Sequence, residues 1–140
     1  MSAAVPISRD PVLAGQCEDL LGDLLTEAQG VMGAVMASVD GHAFAKRFQN
    51  GQAKEATRVA AIASSVLALS ESFSHETLNG KVSFNCVSTS HGSIMTVRVP
   101  SRQNVFVLSV WADKTDNFAM TLRFTLDAAH KLAALVDGSH

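Results

Sequence analysis

Apolar positions recur along the chain with two different periods. Leu13, Cys17, Leu20, Leu21, Leu24, Leu25 and Ala28 fall at helical spacing, with Glu18, Asp19, Asp23 and Glu27 on the other side. Asp10-Pro11 suits a helix start, with Asp as N-cap and Pro where its missing N–H costs nothing. Gly30 closes this helix. Val31, Ala34, Val35, Met36, Ala37 and Val39 then form a near-continuous apolar run, as in a strand covered on both faces. His42 to Phe48 alternates instead, with Ala43, Ala45 and Arg47 on one face and His42, Phe44, Lys46 and Phe48 on the other. Its charges suit an edge strand. Asp40-Gly41 between the two runs predicts a hairpin closed by a two-residue type I′ turn.

Asn50-Gly51 breaks the chain, and a long helix is expected from Ala53 to about Thr77. It carries two apolar seams. Val59, Ile62, Val66, Leu69 and Phe73 form a seam of large side chains; Ala56, Ala60, Ala63, Leu67 and Ser70 form one of mostly small side chains. At 3.6 residues per turn the seams lie roughly 100° apart, a dry arc wider than packing on one sheet requires. The large seam is expected to fill the space over a sheet. The small seam would let another helix approach closely.

Asn79-Gly80 ends the long helix, and three strand-like runs follow: Lys81 to Thr89, Ser93 to Val99 and Asn104 to Trp111. In the first, Val82, Phe84 and Cys86 alternate with Ser83 and Asn85. In the second, Met95, Val97 and Val99 oppose Ile94, Thr96 and Arg98, and Pro100 ends the strand. Ser90-His91-Gly92 suits a hairpin loop. VFVLSVW is apolar on both faces and is expected at the centre of the sheet. A final helix buries Phe118, Leu122, Leu126, Ala129, Leu132, Ala133 and Val136, with Gly138 just past its end. The order is α-β-β-α-β-β-β-α, an α+β fold with a five-stranded antiparallel sheet covered by helices.

Composition narrows the function. At 140 residues the chain is expected to form one domain over residues 11–137, after a flexible tail of residues 1–10. A net charge of -2 gives no electrostatic reason to expect nucleic acid or an anionic membrane as partner. Cys17 and Cys86 form no CxxC pair and have no His at ligand spacing, so buried thiols in a reducing cytoplasm are expected, without metal or cofactor. The start lacks a signal-peptide pattern, and no run reaches the roughly eighteen apolar residues of a membrane span. Phosphate-loop, dinucleotide, zinc-protease and serine-hydrolase motifs are all missing, and nothing marks an enzyme. His42 and His91 fall at turns. Lys46, Arg47 and Arg58 could together make a basic partner-binding patch, and Trp111 suits packing at a sheet end.

The combination of "VMGAVMASVDGHAFA", an alanine-rich helix "EATRVAAIASSVLALSES", three strands and a closing helix resembles the Roadblock/dynein light chain family, in particular its small bacterial members. The resemblance runs from Leu13 to Val136. It is carried by the pattern Gly-x-x-x-apolar-Ser-x-Asp-Gly at Gly33 to Gly41 and by the Ala-Ala-x-x-Ser-Ser run from Ala60 to Ser65. His42 stands where many relatives carry an apolar residue.

The resemblance implies two helices on one face of the sheet and the long helix on the other, a Roadblock/profilin-like layering. It implies a dimer in which the third strand pairs with its mate and the long helices meet. Carried over, Val82, Phe84 and Cys86 belong to the paired strand, and Ala56, Ala60, Ala63 and Leu67 to the helix contact. The implied function is non-enzymatic regulation or scaffolding of a Ras-like small GTPase, with Arg98 and Arg102 candidate arginine fingers only by residue type. The alternatives are an assembly module that pairs with a sensor kinase or other scaffold, and a small-ligand sensor.

Overall fold

A computed structural model of the chain describes residues 6–49 and 55–138. The expected break at Asn50-Gly51 and the expected helix start at Ala53 lie outside the described residues. The elements are a 3-10 turn at Ile7–Arg9, then α1 (Pro11–Glu27), β1 (Val31–Ser38), β2 (Ala43–Phe48), α2 (Ala56–Thr77), β3 (Asn85–Thr89), β4 (Gly92–Arg98), β5 (Phe106–Asp113) and α3 (Phe118–Asp137). The strands form one antiparallel sheet in the order β2-β1-β5-β4-β3. β5, apolar on both faces, is central as expected, and β2 is an edge.

Asp10 caps α1, its carboxylate accepting from the N–H groups of Val12 and Leu13 at 3.0 and 3.2 Å. Just before it, Ile7 packs against the core, so this part of the expected tail is structured. The helices α1 and α3 cover one face of the sheet. There Leu13, Leu21, Leu24 and Leu132 pack with Met36, Val97, Phe106, Leu108 and Val110 in the larger core. On the other face α2 packs on Val35, Ala37 and Val107 in a smaller one.

The β1–β2 hairpin departs from expectation. Its closing bonds run from Ser38 N–H to His42 C=O (2.8 Å) and from Gly41 N–H to Ser38 C=O (2.9 Å). Val39, Asp40 and Gly41 form a three-residue loop, and only Gly41 takes positive φ (96°). A three-residue loop needs one left-handed residue where a type I′ turn needs two, so Asp40 is relieved of that conformation. Further along, Met36 pairs with Ala45 and Ala37 with Ala43, leaving Phe44 as the extra residue of a bulge. The bulge moves Phe44 off the face it was expected to share with Phe48. Phe44 stacks on Phe106 (4.6 Å between centroids) in the larger core, while Phe48 meets Trp111 (5.8 Å) under α2.

β3 is shorter than expected, starting at Asn85 and not at Lys81. The preceding residues leave the sheet in an irregular segment whose Val82 packs under α2 and whose Phe84 packs on the opposite core, beside Phe118. Their expected common face does not form, because alternation holds only where the ladder does.

Candidate partner-binding surface

The long helix turns its small seam to the sheet, while the large seam is divided: Val59 packs against the smaller core, Val66 is half-buried, and the other three residues turn outward. Ala56, Ala60, Ala63 and Leu67 are buried against the chain's own sheet, with Ala60 at 0% exposure. They are therefore spent within the chain and cannot form the helix contact assigned to them. Ile62, Leu69 and Phe73 of the large seam are 57, 68 and 72% exposed. The physical reason lies in the sheet beneath. Small residues let α2 settle closely over β1, whose Val35 and Ala37 already fill the space large side chains were expected to fill. Ser64 fixes this setting: its hydroxyl lies 2.9 Å from the Ser38 carbonyl and 3.0 Å from that of Ala60.

The two short motifs behind the family resemblance thus meet in space. Ser64 of the alanine-rich run bonds Ser38, and Gly41 sits against Ala61, whose Cα would lie 3.7 Å from any Cβ there. Within the loop, the Ser38 hydroxyl donates to the Asp40 carboxylate and accepts from the His42 N–H at 3.1 Å. That hydroxyl, aided by His42 at 3.8 Å, holds the Asp40 carboxyl below the usual carboxylate range. The cluster shapes a turn. Ser38 bonds Asp40 directly, so no histidine stands between them as a nucleophile's base would.

Beside the exposed seam runs an apolar groove of about 330 Å³. Val59, Ile62 and Val66 form its helix wall, and Val87, Ile94 and Trp111 its sheet wall. Thr96 and Ser109 also line it, but their hydroxyls bond each other at 3.1 Å. Trp111 packs at the sheet end, as expected. Its indole lies over Gly33, where a Cβ would come within 2.3 Å of the ring. Val87 was not singled out in the sequence. Its signal was register: it pairs with Ile94, and Ile94 with Trp111, one row across the sheet.

β3 forms the second edge of the sheet. Among the described residues, no side chain or backbone group of this chain bonds its outer side. Cys86, half-buried on this strand, pairs with Met95 and turns away from α2; burial pushes its thiol upward.

The sheet parts Arg47 from the other two residues of the expected basic patch. Lys46 pairs with Val35 and lies on the α2 face, whereas Arg47 lies on α1, 3.0 Å from the Glu18 carbonyl and 3.5 Å from Asp19. Arg58 is exposed on α2. The two arginines considered as fingers are also engaged: Arg98 with Glu71 of α2 at 3.4 Å, and Arg102 with Asp137 at 3.8 Å. Among the described residues no cluster of His, Cys, Asp or Glu could hold a metal. None of their helices is long and apolar enough to cross a membrane.

Solved structures with this fold include the gliding protein MglB from Thermus thermophilus, at 12% identity and TM-score 0.78, covering 91% of this chain and 93% of that one. A Roadblock/LC7 domain from Streptomyces avermitilis aligns at 19% identity and TM-score 0.73, covering 84 and 94%. An MglB in a tetrameric arrangement aligns at 14% identity and TM-score 0.78, covering 89 and 90%. No curated protein sequence matches the chain. The family model of the Roadblock/LC7 domain matches residues 18–107, most of the chain and both motifs described above, and the chain belongs to that family.

Proposed function

We propose that this protein is a non-enzymatic, dimeric regulator or scaffold of a Ras-like small GTPase, acting in the cytoplasm. The observation that carries the dimer is the exposed large seam of α2, with Ile62, Leu69 and Phe73 in a row beside an open strand edge at β3. Large apolar side chains exposed in a row mark an interaction surface. A second copy laid on this seam would cover the apolar groove, and pairing at β3 would hide its unbonded edge. Family membership and the likeness to MglB support a GTPase as the further partner. The dimer would then act by favouring one arrangement of the GTPase's switch loops, since Arg98 and Arg102 are both ion-paired within the chain.

The test has two parts. Light scattering should give twice 14.8 kDa for the natural chain and 14.8 kDa for a folded Leu69→Glu/Phe73→Glu variant. Immobilised dimer should retain a Ras-like GTPase loaded with a non-hydrolysable GTP analogue more strongly than the GDP form. A dimer indifferent to nucleotide state would leave the assembly-module reading. The apolar groove favours the small-ligand sensor as a second reading, and displacement of an apolar fluorescent dye from a monomer would support it.

A further inference from the structure

The sheet has two edges, and α1 treats them unequally. Along β2, N–H groups at alternate residues point away from β1, and that of Lys46 donates to the Glu18 carboxylate of α1 at 3.2 Å. The next side chain, Arg47, crosses back over α1, its Nε donating to the Glu18 carbonyl at 3.0 Å and its guanidinium reaching Asp19 at 3.5 Å. Gly22, one turn on, lies beneath that guanidinium: a Cβ there would sit 3.7 Å from Nε, in ordinary van der Waals contact. Gln49 continues the seam, its side-chain amide donating to the Val31 carbonyl at 3.0 Å and reaching Leu25 at the end of α1 at 3.5 Å. Nothing comparable covers β3 among the described residues.

We infer that Glu18 and Arg47 form a clasp that withholds the β2 edge from strand addition, so that a second copy of this chain can add only at β3. An incoming strand needs the outward N–H of Lys46 as a donor, and a carboxylate already occupies it. One open edge closes assembly at a pair of copies. Two open edges would let the same sheet grow from both sides, and unless the rotation closes, a chain of copies results. The inference rests on the proposed β3-paired dimer for its partner, but the clasp itself can be tested without it.

The experiment compares the natural chain with Glu18→Ala/Arg47→Ala and with Glu18→Gln, which keeps an acceptor oxygen. Amide exchange at Lys46 and light scattering over a concentration series are both recorded. In the natural chain the Lys46 amide should exchange at least tenfold more slowly than in the double variant, with Glu18→Gln in between. The double variant's mass should rise with concentration past that of the natural chain. Equal Lys46 exchange in natural and double-variant chains overturns the clasp. So does a double variant that loses the protection yet keeps the natural mass at every concentration. A natural chain that is monomeric would overturn the dimer and leave the clasp to stand or fall on the exchange rates.

Discussion

At the scale of single residues, Gly33 and Trp111 show how one small side chain sets a large one. The indole occupies the space above Gly33, beside Phe48, and there lines the groove. Gly33→Ala should force the ring aside. A destabilisation of about 1–3 kcal/mol is expected for this kind of overpacking, with a shift in tryptophan fluorescence as its signature. Cys17 illustrates burial in another way. Desolvation, with the nearby Glu18 charge adding to it, pushes its thiol up to about 12 from an ordinary 9.0. A pKa raised on folding stabilises the fold below pH 9, where both states keep the proton. That contribution is lost as pH rises from about 9 to about 12, because the unfolded chain ionises first. The denaturation midpoint of Cys17→Ala should therefore fall less steeply over this range than that of the natural chain. In native buffer, iodoacetamide should modify half-buried Cys86 well before Cys17.

At the scale of elements, α2 separates what the sequence could tell from what it could not. Both of its seams were legible from their spacing of three and four residues, as were α1, α3, the antiparallel sheet and the central place of β5. Which seam faced the sheet was not legible, because periodicity reports that two faces are dry and not what each one meets. The answer depended on Val35 and Ala37 of β1, on Val107 of β5, and on a close approach fixed by Ser64, all distant in sequence. The same limit applies to β2. Its alternation was visible and held for Lys46 and Arg47, which lie on opposite sides of the sheet, but one bulge at Phe44 reversed that side chain's face. The setting of the small α2 seam against the sheet has a direct consequence. Ala60→Glu would bury a charge at a position with 0% exposure and should unfold the chain or cost at least several kcal/mol. Leu69→Glu, on the seam that is 68% exposed there, should leave the fold intact and weaken association. Circular dichroism and light scattering on the two variants separate the seams.

At the scale of the whole molecule, the distribution of apolar surface bears on how stability and assembly are linked. The larger core, between the sheet and the pair α1 and α3, is closed by Leu13, Leu21, Met36, Phe106 and Leu132, all nearly inaccessible to solvent. The smaller one, under α2, is closed only on its inner side, since the groove and the large seam beside it remain open to solvent. A second copy on α2 would therefore complete the weaker half of the molecule, and association would be coupled to folding by mass action. For a dimer that dissociates as it unfolds, the melting temperature must rise with concentration. With about 0.7 kcal/mol of unfolding enthalpy per residue, the rise is about 2–3 °C for each tenfold increase in protein. Leu69→Glu/Phe73→Glu should melt lower and lose that dependence, because its folding no longer involves a second chain. A natural chain whose melting temperature is flat across a hundredfold range of concentration would show that the half under α2 is stable without a partner.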